Sequence, residues 1–375
     1  MKEQSFNRVV IDPEALRHNY SLMKRLAGGR PLMAMVKANA YGHGMIVAAR
    51  AFAGAGCTTF GVAELREGVL LRQAGVDGEI YVTLGFPRER AEAILRHRLT
   101  PVVYDIDTAR LLAALASAAG EEVAVHLKVD TGMGRLGLLP EEVDPFLAAM
   151  NGLSGVRVAG LMSHFPEADV AESASTLRAT ATFNEVCRQA KSRISGVCHI
   201  ANSGAVLNFP ASHADMVRSG IALYGYHPAG RCRSGPASAL RPAMSVRTEV
   251  VQVKSLPAGS GVSYGHTYRT HGPTRLAVLP MGYEDCFSRL FSNRAEVLIG
   301  GRRAPVRGRV CMNMCMVDVT AIDGVRAGDE AVILGCQGEE TITGEDLAEW
   351  MNTISYEVLC LLGNNNQRDL PEEMR

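Results

Sequence analysis

Apolar and polar residues at the start of the chain follow a pattern that predicts a strand and then an amphipathic helix. Val9–Ile11 is a short apolar run, and Asp12 and Pro13 suit the N-cap and the first position of a helix. Apolar side chains then recur every three or four residues up to Leu26, and Gly28 follows as a stop signal. The chain therefore begins with one strand–helix unit.

The same unit recurs through the first part of the chain. Apolar runs predict eight strands, near residues 32–37, 58–62, 79–84, 101–104, 123–129, 157–164, 196–201 and 215–218. Helical patterns follow most of them, at Glu64–Gln73, Arg88–Arg98, Thr108–Ala119 and Glu172–Lys191, and the helix after the seventh strand is short. This alternation predicts an α/β fold with a (β/α)8 barrel of the TIM type. A doubly wound open sheet is the alternative, but no Gly-x-Gly-x-x-Gly follows the first strand.

The pattern changes near Ala229–Arg241, a stretch rich in Gly, Pro, Ser and Arg that is typical of a linker. Strand patterns dominate after it, at Val246–Val253, Arg275–Leu279, Glu296–Ile299, Arg302–Val306, Cys315–Thr320 and Glu330–Leu334. Gly300 and Gly301 predict a two-residue hairpin turn. We therefore predict a barrel domain over residues 1–235 and a mainly-β domain over residues 236–375.

Composition narrows the function classes. Lys plus Arg and Asp plus Glu both total 39 in 375 residues, and this zero net charge argues against a nucleic-acid or membrane surface. No apolar run is long enough to span a bilayer, and the polar N-terminus lacks the apolar core of a signal peptide. The nine cysteines have no regular spacing, and Cys311 and Cys315 lack partners for a zinc site. We expect a cytoplasmic protein with reduced thiols and no metal.

Two lysines stand where barrel strands end, which is where such barrels place their active sites. Lys37 shares the face of Met33 and Met35, and a deprotonated lysine there could form a Schiff base. Lys128 shares an inward face with His126, where a bare ammonium is costly unless it gains a partner or changes chemically. The alternative for both is an ammonium that simply reaches water at the rim.

Other candidates follow the later strands. Arg135, in a glycine-rich loop, could hold a carboxylate with two hydrogen bonds, although a plain surface arginine is the simpler interpretation. His164 ends the sixth strand, where a histidine is more often structural than catalytic. Ser203 follows the seventh strand, and Arg218 with its successors follows the eighth. Loops after these two strands commonly bind phosphate, and the N–H groups of Gly220 and Ile221 suit that role.

Together these segments strongly resemble the alanine racemases. The matching motifs are Val36-Lys37-Ala-Asn-Ala-Tyr41-Gly-His-Gly, Lys128-Val-Asp-Thr-Gly-Met-Gly-Arg135-Leu-Gly, His199-Ile-Ala-Asn-Ser203, Arg218-Ser-Gly-Ile-Ala-Leu-Tyr-Gly, Val262-Ser-Tyr264-Gly, Gly308-Arg-Val-Cys-Met312 and Thr353-Ile-Ser-Tyr356-Glu. They run in order over nearly the whole chain. The resemblance implies a racemase that depends on pyridoxal 5′-phosphate, interconverts L- and D-alanine and supplies D-alanine for peptidoglycan. It also implies a head-to-tail homodimer whose active sites are shared between chains.

The resemblance assigns a role to each site residue. It implies that Lys37 carries the cofactor as a Schiff base, and that Lys37 and Tyr264 are the two catalytic bases. The implied phosphate ligands are Tyr41, Ser203, Gly220, Ile221 and Tyr356. Arg218 would face the pyridine nitrogen, with His164 between it and Tyr264. Arg135 and the backbone N–H of Met312 would hold the substrate carboxylate, and Lys128 matches a lysine that is carboxylated in many members.

Three segments depart from the family pattern. Asn313 replaces a usual Asp, and Cys286 replaces a usual Gly, in segments that resemble the substrate access path of the family. The tail that starts at Gly363 also replaces the usual Ser-Arg-Val-Pro-Arg ending. Two alternative functions stay open at this point. One is a racemase of another small amino acid such as serine, and the other is a non-catalytic pyridoxal-phosphate carrier, although carriers resemble only the first half.

Overall fold

The computed structural model describes residues 5–231 and 235–369. The chain forms two compact units, which divide between Arg241 and Pro242. Two short segments from before this boundary also belong to the second unit. The barrel unit comprises Glu14–Ala40 and Met45–Arg241. The β unit comprises Met1–Pro13, Tyr41–Gly44 and Pro242–Arg375.

Strand β1 (Arg8–Ile11) pairs in a sheet of the β unit, although the predicted domains place it with the barrel. Its antiparallel partner is the strand that begins at Met244, and its parallel partner is the strand that ends at Asp369. Both strands lie more than two hundred residues later in the chain. An apolar run identifies a strand but carries no information about which distant strand it joins. The residues before helix Pro13–Leu26 therefore belong to the β unit.

Eight parallel strands form the sheet of the barrel unit. They are β2 (Leu32–Met35), β3 (Thr59–Glu64), β4 (Glu79–Gly85), β5 (Thr100–Val103), β6 (Val123–Lys128), β7 (Val156–Met162), β8 (Val197–His199) and β9 (Val217–Ser219). The sheet order runs from β8 back to β2 and ends on β9. Hydrogen bonds from Asp215 N–H to Cys198 O (3.1 Å) and from Arg218 N–H to Ala201 O (2.9 Å) connect the two outer strands, so the sheet is nearly closed. The predicted barrel is confirmed and the open sheet is excluded.

Helices connect the barrel strands. They are Pro13–Leu26, Met45–Gly54, Leu65–Gln73, Glu92–Arg96, Ile106–Ala119, Val143–Met150, Ala174–Ala190 and the short Ser203–Asn208. Local sequence defines several of their starts, because Asp105 and Ser173 accept N–H hydrogen bonds as N-caps. Apolar side chains such as Met33, Phe60 and Val82 are fully buried in the core.

Among its described residues, the β unit contains three sheets and two α-helices of eight residues or more. Its further strands are β10 (Met244–Glu249), β11 (Gln252–Leu256), β12 (Gly261–Val262), β13 (Tyr268–Arg269), β14 (Thr274–Leu279), β15 (Glu296–Ile299), β16 (Arg302–Pro305), β17 (Cys315–Asp318), β18 (Glu330–Gln337), β19 (Glu340–Ile342) and β20 (Gln367–Asp369). One sheet has the order β16-β15-β18-β10-β1-β20 with β19 on β18, a second has the order β11-β14-β17, and β12 pairs with β13. Gly300 and Gly301, both at positive φ, form the predicted hairpin turn.

Two helices of the β unit, Gly344–Met351 and Ser355–Asn365, are absent from the sequence prediction. The predicted linker Ala229–Arg241 includes residues 232–234, which lie outside the described residues. Among the residues that the structure does describe, no helix is both long and apolar enough to cross a bilayer.

Candidate active site

Lys37 begins a left-handed turn at the carboxyl end of β2. The next three residues, Ala38, Asn39 and Ala40, have φ of 53°, 53° and 56°, and Tyr41 continues the turn at 52°. A left-handed conformation costs a non-glycine residue about 1–2 kcal/mol, so the segment is strained. Local hydrogen bonds hold it, including one of 2.8 Å from the Ala40 N–H to Val36 O. The sequence predicted the position of Lys37 but not this turn.

Arg218 lies on β9, is 3% exposed and has its two terminal nitrogens fully engaged. Nη1 contacts His199 Nδ1 (3.0 Å) and His199 O (2.9 Å), and Nη2 contacts Ser163 O (2.7 Å), Ile200 O (3.1 Å) and His164 Nδ1 (3.2 Å). Its remaining donor, Nε–H, makes no hydrogen bond to the described residues. Burial lowers the pKa of Arg218 to about 9, so the guanidinium is protonated at neutral pH.

Two buried histidines continue this network. Because Arg218 can only donate, His199 Nδ1 is an acceptor and its proton is on Nε2. His199 Nε2 lies 2.9 Å from His126 Nδ1, which is therefore the acceptor of the second bond. Burial, followed by the charge of Arg218, lowers the pKa of His199 well below its usual value and that of His126 to about 3. Both rings are thus neutral with a single tautomer. The sequence predicted that His126 lies on an inward face, but it did not predict the hydrogen bonds from Arg218 through His199 to His126.

His164 is held in the same way. Arg218 Nη2 approaches its Nδ1, so the ring proton is on Nε2, which can donate onward. The pKa of His164 is well below its usual value because the ring is buried and because Arg218, Lys128, Arg135 and Lys37 are all cationic neighbours. Of these four predicted site residues, Arg218 contacts the ring directly, and the charges of all four disfavour its protonation.

Lys128 ends β6 and is 6% exposed. Burial, with repulsion from Arg218, Arg135 and Lys37 and partial compensation by Asp130, lowers its pKa to about 7. A large fraction of this amine is therefore uncharged at neutral pH. The structure confirms the inward position that the strand pattern predicted.

Asp130 organises the loop that carries Arg135. Its carboxylate accepts hydrogen bonds from the N–H groups of Gly132 (2.9 Å), Met133 (2.8 Å), Gly134 (3.2 Å) and Arg135 (3.0 Å). Burial raises the pKa of Asp130, but these four donors together outweigh that effect and lower it. The Arg135 side chain itself is exposed. An aspartate directly before a glycine-rich loop was the available signal for this role, and the sequence interpretation missed it.

The segments after β8 and β9 meet at Ser203. Ser203 Oγ accepts the Gly220 N–H (2.8 Å) and lies 3.0 Å from Ser219 Oγ. The Gly220 N–H that we expected to bind phosphate therefore already has a partner within the protein. Ile221 begins the 3-10 helix Ile221–Tyr224, and its N–H makes no hydrogen bond to the described residues.

The other predicted phosphate ligands, Tyr41 and Tyr356, belong to the β unit, where their rings lie 6.1 Å apart. At Gly42 and Gly363 the backbone of the Tyr41 segment is in close contact with the backbone of helix Ser355–Asn365. A Cβ on Gly42 would lie 2.2 Å from Leu359 O, and a Cβ on Gly363 would lie 2.2 Å from Gly42 O. Glycine at both positions lets helix Ser355–Asn365 approach the Tyr41 segment.

Tyr264 lies on a strained, exposed segment of the β unit. Its side chain is 66% exposed and lines a cavity of about 520 Å³. The preceding Ser263 has φ 59° and ψ −171°, a conformation that glycine adopts most readily, and Ser263 Oγ donates to Arg309 O at 2.6 Å. Met312, in the same unit, is 54% exposed, and its N–H makes no hydrogen bond to the described residues.

Two of the three departures from the family pattern, Asn313 and the tail, change hydrogen bonds of the β unit. Asn313 Nδ2 lies 3.4 Å from Glu284 Oε2, so an amide donor stands where a carboxylate would repel Glu284. The unusual tail is integrated in the β unit, because Asn366 Nδ2 donates to Asp285 O (2.9 Å) and Arg368 Nε donates to Gly42 O (3.1 Å). Strand β20 then pairs with β1.

Cys286, the third departure, has φ 62° and ψ 17° at the end of the 3-10 helix Tyr283–Asp285. This left-handed conformation explains why glycine suits the position. We expect Cys286→Gly to raise the free energy of unfolding by about 1 kcal/mol, because it removes the clash of a side chain with its own backbone. Urea unfolding would measure the change. Cys286→Ala is the control, since it removes the thiol but keeps Cβ; an equal gain from both variants would contradict the backbone explanation.

Comparison with known proteins identifies the family. A sequence profile of the alanine racemase N-terminal domain matches residues 11–228, and one of the alanine racemase C-terminal domain matches residues 243–370. An alanine racemase of Syntrophobacter fumaroxidans is 44% identical over 360 residues, which cover 95% of this chain and 95% of that protein. The chain belongs to the alanine racemase family. The family predicted from the motifs is confirmed.

Solved alanine racemases have the same fold. The crystal structure of the alanine racemase from Streptomyces lavendulae matches with a TM-score of 0.92 at 36% identity, covering 99% of this chain and 98% of that one. The alanine racemase of Bartonella henselae, with covalently bound pyridoxal phosphate, matches with a TM-score of 0.87 at 28% identity, covering 98% of this chain and 100% of that one. Alanine racemases depend on pyridoxal phosphate, so the predicted cofactor is the cofactor of this family.

Proposed function

We propose that this chain is a pyridoxal-phosphate-dependent racemase that interconverts L- and D-alanine with Lys37 and Tyr264 as its two acid/base groups. The observation that carries the proposal is the buried Arg218, which contacts His164 Nδ1 at 3.2 Å and His199 Nδ1 at 3.0 Å. The Nε–H of this buried guanidinium makes no hydrogen bond to the described residues, and the ring nitrogen of the cofactor would accept one. Matches to both family domains support a full racemase over a carrier, which would resemble the first half alone.

The residues present fit the cofactor. Lys37 would bind it covalently, and Tyr41, Ser203, Gly220, Ile221 and Tyr356 would surround its phosphate. Among these groups the Ile221 N–H supports the assignment most directly, because it follows β9 and has no hydrogen-bond partner in the described part of the chain. When bound, pyridoxal phosphate withdraws electron density from the α-carbon of an attached amino acid and so acidifies the α-proton.

Arg218 would face the pyridine nitrogen through its Nε–H, which makes no hydrogen bond within residues 5–231 and 235–369. A guanidinium donates hydrogen bonds and has no acceptor, and Arg218 stays protonated at neutral pH. It therefore offers the ring nitrogen a hydrogen bond without readily giving up a proton. This moderates the electron demand at the substrate and favours return of the α-proton over side reactions.

Two bases on opposite faces of the substrate explain racemisation. Lys37 would exchange the proton on one face and Tyr264 on the other. The tautomer of His164 supports the role of Tyr264, because its Nε2–H is available to donate toward a phenolate oxygen. A donor in that position stabilises the ionised tyrosine that accepts the proton.

Arg135 and the Met312 N–H would hold the substrate carboxylate, and Lys128 would be carboxylated. The lowered pKa of Lys128 supports this modification, because only the neutral amine attacks carbon dioxide. The amine nitrogen forms a bond to the carbon of CO2 and loses a proton, which gives a carbamate anion. That anion would pair with Arg135 and remove the cost of a buried cation.

We expect Lys128→Ala to lower racemase activity about tenfold, since Arg135 loses its anionic partner. Added acetate or chloride should restore part of the activity by occupying the vacated space. Lys128→Glu is the matched control, because it supplies a permanent carboxylate and should retain more activity than Lys128→Ala. Steady-state rates with and without acetate test the prediction; an unmodified ammonium at Lys128 in a high-resolution map would refute carboxylation.

We further propose a cytoplasmic homodimer with shared active sites that supplies D-alanine for peptidoglycan and binds neither nucleic acid nor membrane. The exposure of Tyr264 and Met312 supports a partner subunit, since both would be covered in a composite site. The zero net charge supports the absence of a nucleic-acid surface.

Incubating the purified holoenzyme with L-alanine and assaying D-alanine tests the function directly. Product is expected; its absence would favour the carrier, and faster turnover of L-serine would favour a different racemase. Borohydride reduction before digestion should fix the cofactor to the peptide that carries Lys37. A label on any other lysine would overturn the assignment of Lys37.

A further inference from the structure

Glu67 is a buried carboxylate beside the Lys37 turn, and the proposed function does not use it. It lies in the first turn of helix Leu65–Gln73 and is 9% exposed. Its Oε1 accepts the Ala38 N–H at 2.6 Å, and its Oε2 accepts the N–H groups of Ala63 (2.9 Å) and Glu64 (3.2 Å). Within the described part of the chain it forms no ion pair. Both oxygens are thus committed to backbone donors.

The bond to Ala38 acts at the point where the regular strand ends. The last strand-like bond of this segment runs from the Val36 N–H to Gly61 O at 2.8 Å. Beyond it the chain enters the left-handed turn, and the peptide between Lys37 and Ala38 lies outside the sheet pairing, which ends at Met35 and Gly61. The orientation of that peptide sets the direction in which the Lys37 side chain leaves the backbone.

The geometry points to Glu67 as a positioning residue: its Oε1 fixes the Lys37–Ala38 peptide and thereby holds the Lys37 amine in place for the cofactor. This inference rests on the proposed role of Lys37. A carboxylate suits the task because a charged acceptor forms a stronger bond to a backbone N–H than a neutral one. Its second oxygen ties the same side chain to the end of β3, so the turn is braced against the neighbouring strand.

Glu67→Gln tests the inference with Glu64→Gln as the matched control. An amide has one acceptor oxygen, so glutamine cannot satisfy N–H donors on both sides. Glu64 starts the same helix but is exposed and makes no bond to Ala38, so its variant controls for the loss of charge. In the holoenzymes we expect Glu67→Gln, and not Glu64→Gln, to accelerate amide hydrogen exchange in residues 37–41 about tenfold. Cofactor release from Lys37 by hydroxylamine should accelerate similarly, and kcat should fall more than KM for alanine rises.

A role in capping the helix alone would give a different pattern. Exchange would then rise across helix Leu65–Gln73 while residues 37–41 and cofactor release stayed as in the wild type, and that result would overturn the inference. If Glu67→Gln does not fold, Glu67→Asp replaces it, because a side chain shorter by one methylene keeps a carboxylate near the helix start but does not reach Ala38. Normal exchange at residues 37–41 in Glu67→Asp would equally refute it.

Labelling of Lys37 in the wild-type enzyme distinguishes a failure of the proposed function from a failure of the positioning role of Glu67. If borohydride leaves no label on Lys37 of the wild-type enzyme, the proposed function itself fails. If Lys37 is labelled and the Glu67 variants retain wild-type exchange and cofactor release, only the positioning role fails.

Discussion

Mixing Lys37→Ala protomers with Tyr264→Phe protomers should restore about a quarter of wild-type racemase activity. Each homodimer alone lacks one base in both sites and should lose at least about a hundredfold, the contribution typical of one acid/base group. Lys37 belongs to the barrel unit and Tyr264 to the β unit. In a composite site, Lys37 of one subunit would work with Tyr264 of the other.

The symmetry of a dimer gives the size of the recovery. In a mixed dimer one site receives both lesions and the other receives neither. Random pairing of equal amounts makes about half of the dimers mixed, and each has one intact site of two, which gives about a quarter. Co-refolding or co-expression, followed by the D-alanine assay, measures it.

A second mixture controls for general effects of subunit exchange. Lys37→Ala and Arg135→Ala both lie in the barrel unit, so every site of their mixed dimer carries one lesion and activity should not return. If demonstrated Lys37→Ala/Tyr264→Phe heterodimers stay as inactive as their parents, Tyr264 acts within its own chain and the shared-site proposal fails.

The barrel and most of its site positions were predictable because strand–helix alternation is a local property of sequence. Each predicted barrel strand exists, and Lys37 and Lys128 occupy strand ends as the pattern indicated. The family motifs added assignments for Tyr264 and Met312 that spacing alone did not provide. The hairpin at Gly300 and Gly301 was predictable for the same local reason.

Contacts between distant segments could not be predicted in this way. The pairing of β1 with β10 and β20 depends on partners more than two hundred residues away. The four left-handed residues after Lys37 include no glycine, so composition does not predict the turn. It is held by a local bond and by one from Glu67 on a later helix. The tautomers of His126 and His199 follow from Arg218, which periodicity places on a strand but does not join to them.

Arg218→Glu should lower racemisation about a hundredfold and increase transamination relative to racemisation. The guanidinium now donates to three backbone carbonyls, those of Ser163, His199 and Ile200, and a carboxylate can donate to none of them. His199 O also accepts the Ser163 N–H (3.1 Å), so the substitution leaves two carbonyls, those of Ser163 and Ile200, without their donor. We therefore expect the free energy of unfolding to fall by several kcal/mol as well, since each buried carbonyl left unpaired costs about 1–3 kcal/mol. Circular dichroism must first show that the holoenzyme is folded.

Arg218→Glu would also change the protonation of the ring nitrogen of the cofactor. A carboxylate at position 218 would stabilise a proton on that nitrogen, which raises the electron demand at the substrate and prolongs the carbanionic species. A carboxylate accepts hydrogen bonds, so the Nδ1 atoms of His164 and His199 that face position 218 would have to donate. The proton of His164 would then move from Nε2 to Nδ1. His164 would then no longer donate toward Tyr264, and the acid limb of the kcat/KM profile should move to higher pH.

Arg218→Lys is the control for the loss of hydrogen bonds. It keeps a cation beside the ring nitrogen but loses most of the hydrogen bonds that the guanidinium makes. Pyruvate release per racemisation event, together with a new long-wavelength absorption band during turnover, measures the partition. We expect both to rise in Arg218→Glu and to stay near wild type in Arg218→Lys, although Arg218→Lys should also racemise more slowly. Equal partition in the two variants would mean that the donor-only chemistry of the guanidinium does not control the reaction, and that Arg218 acts mainly by ordering the histidines around it.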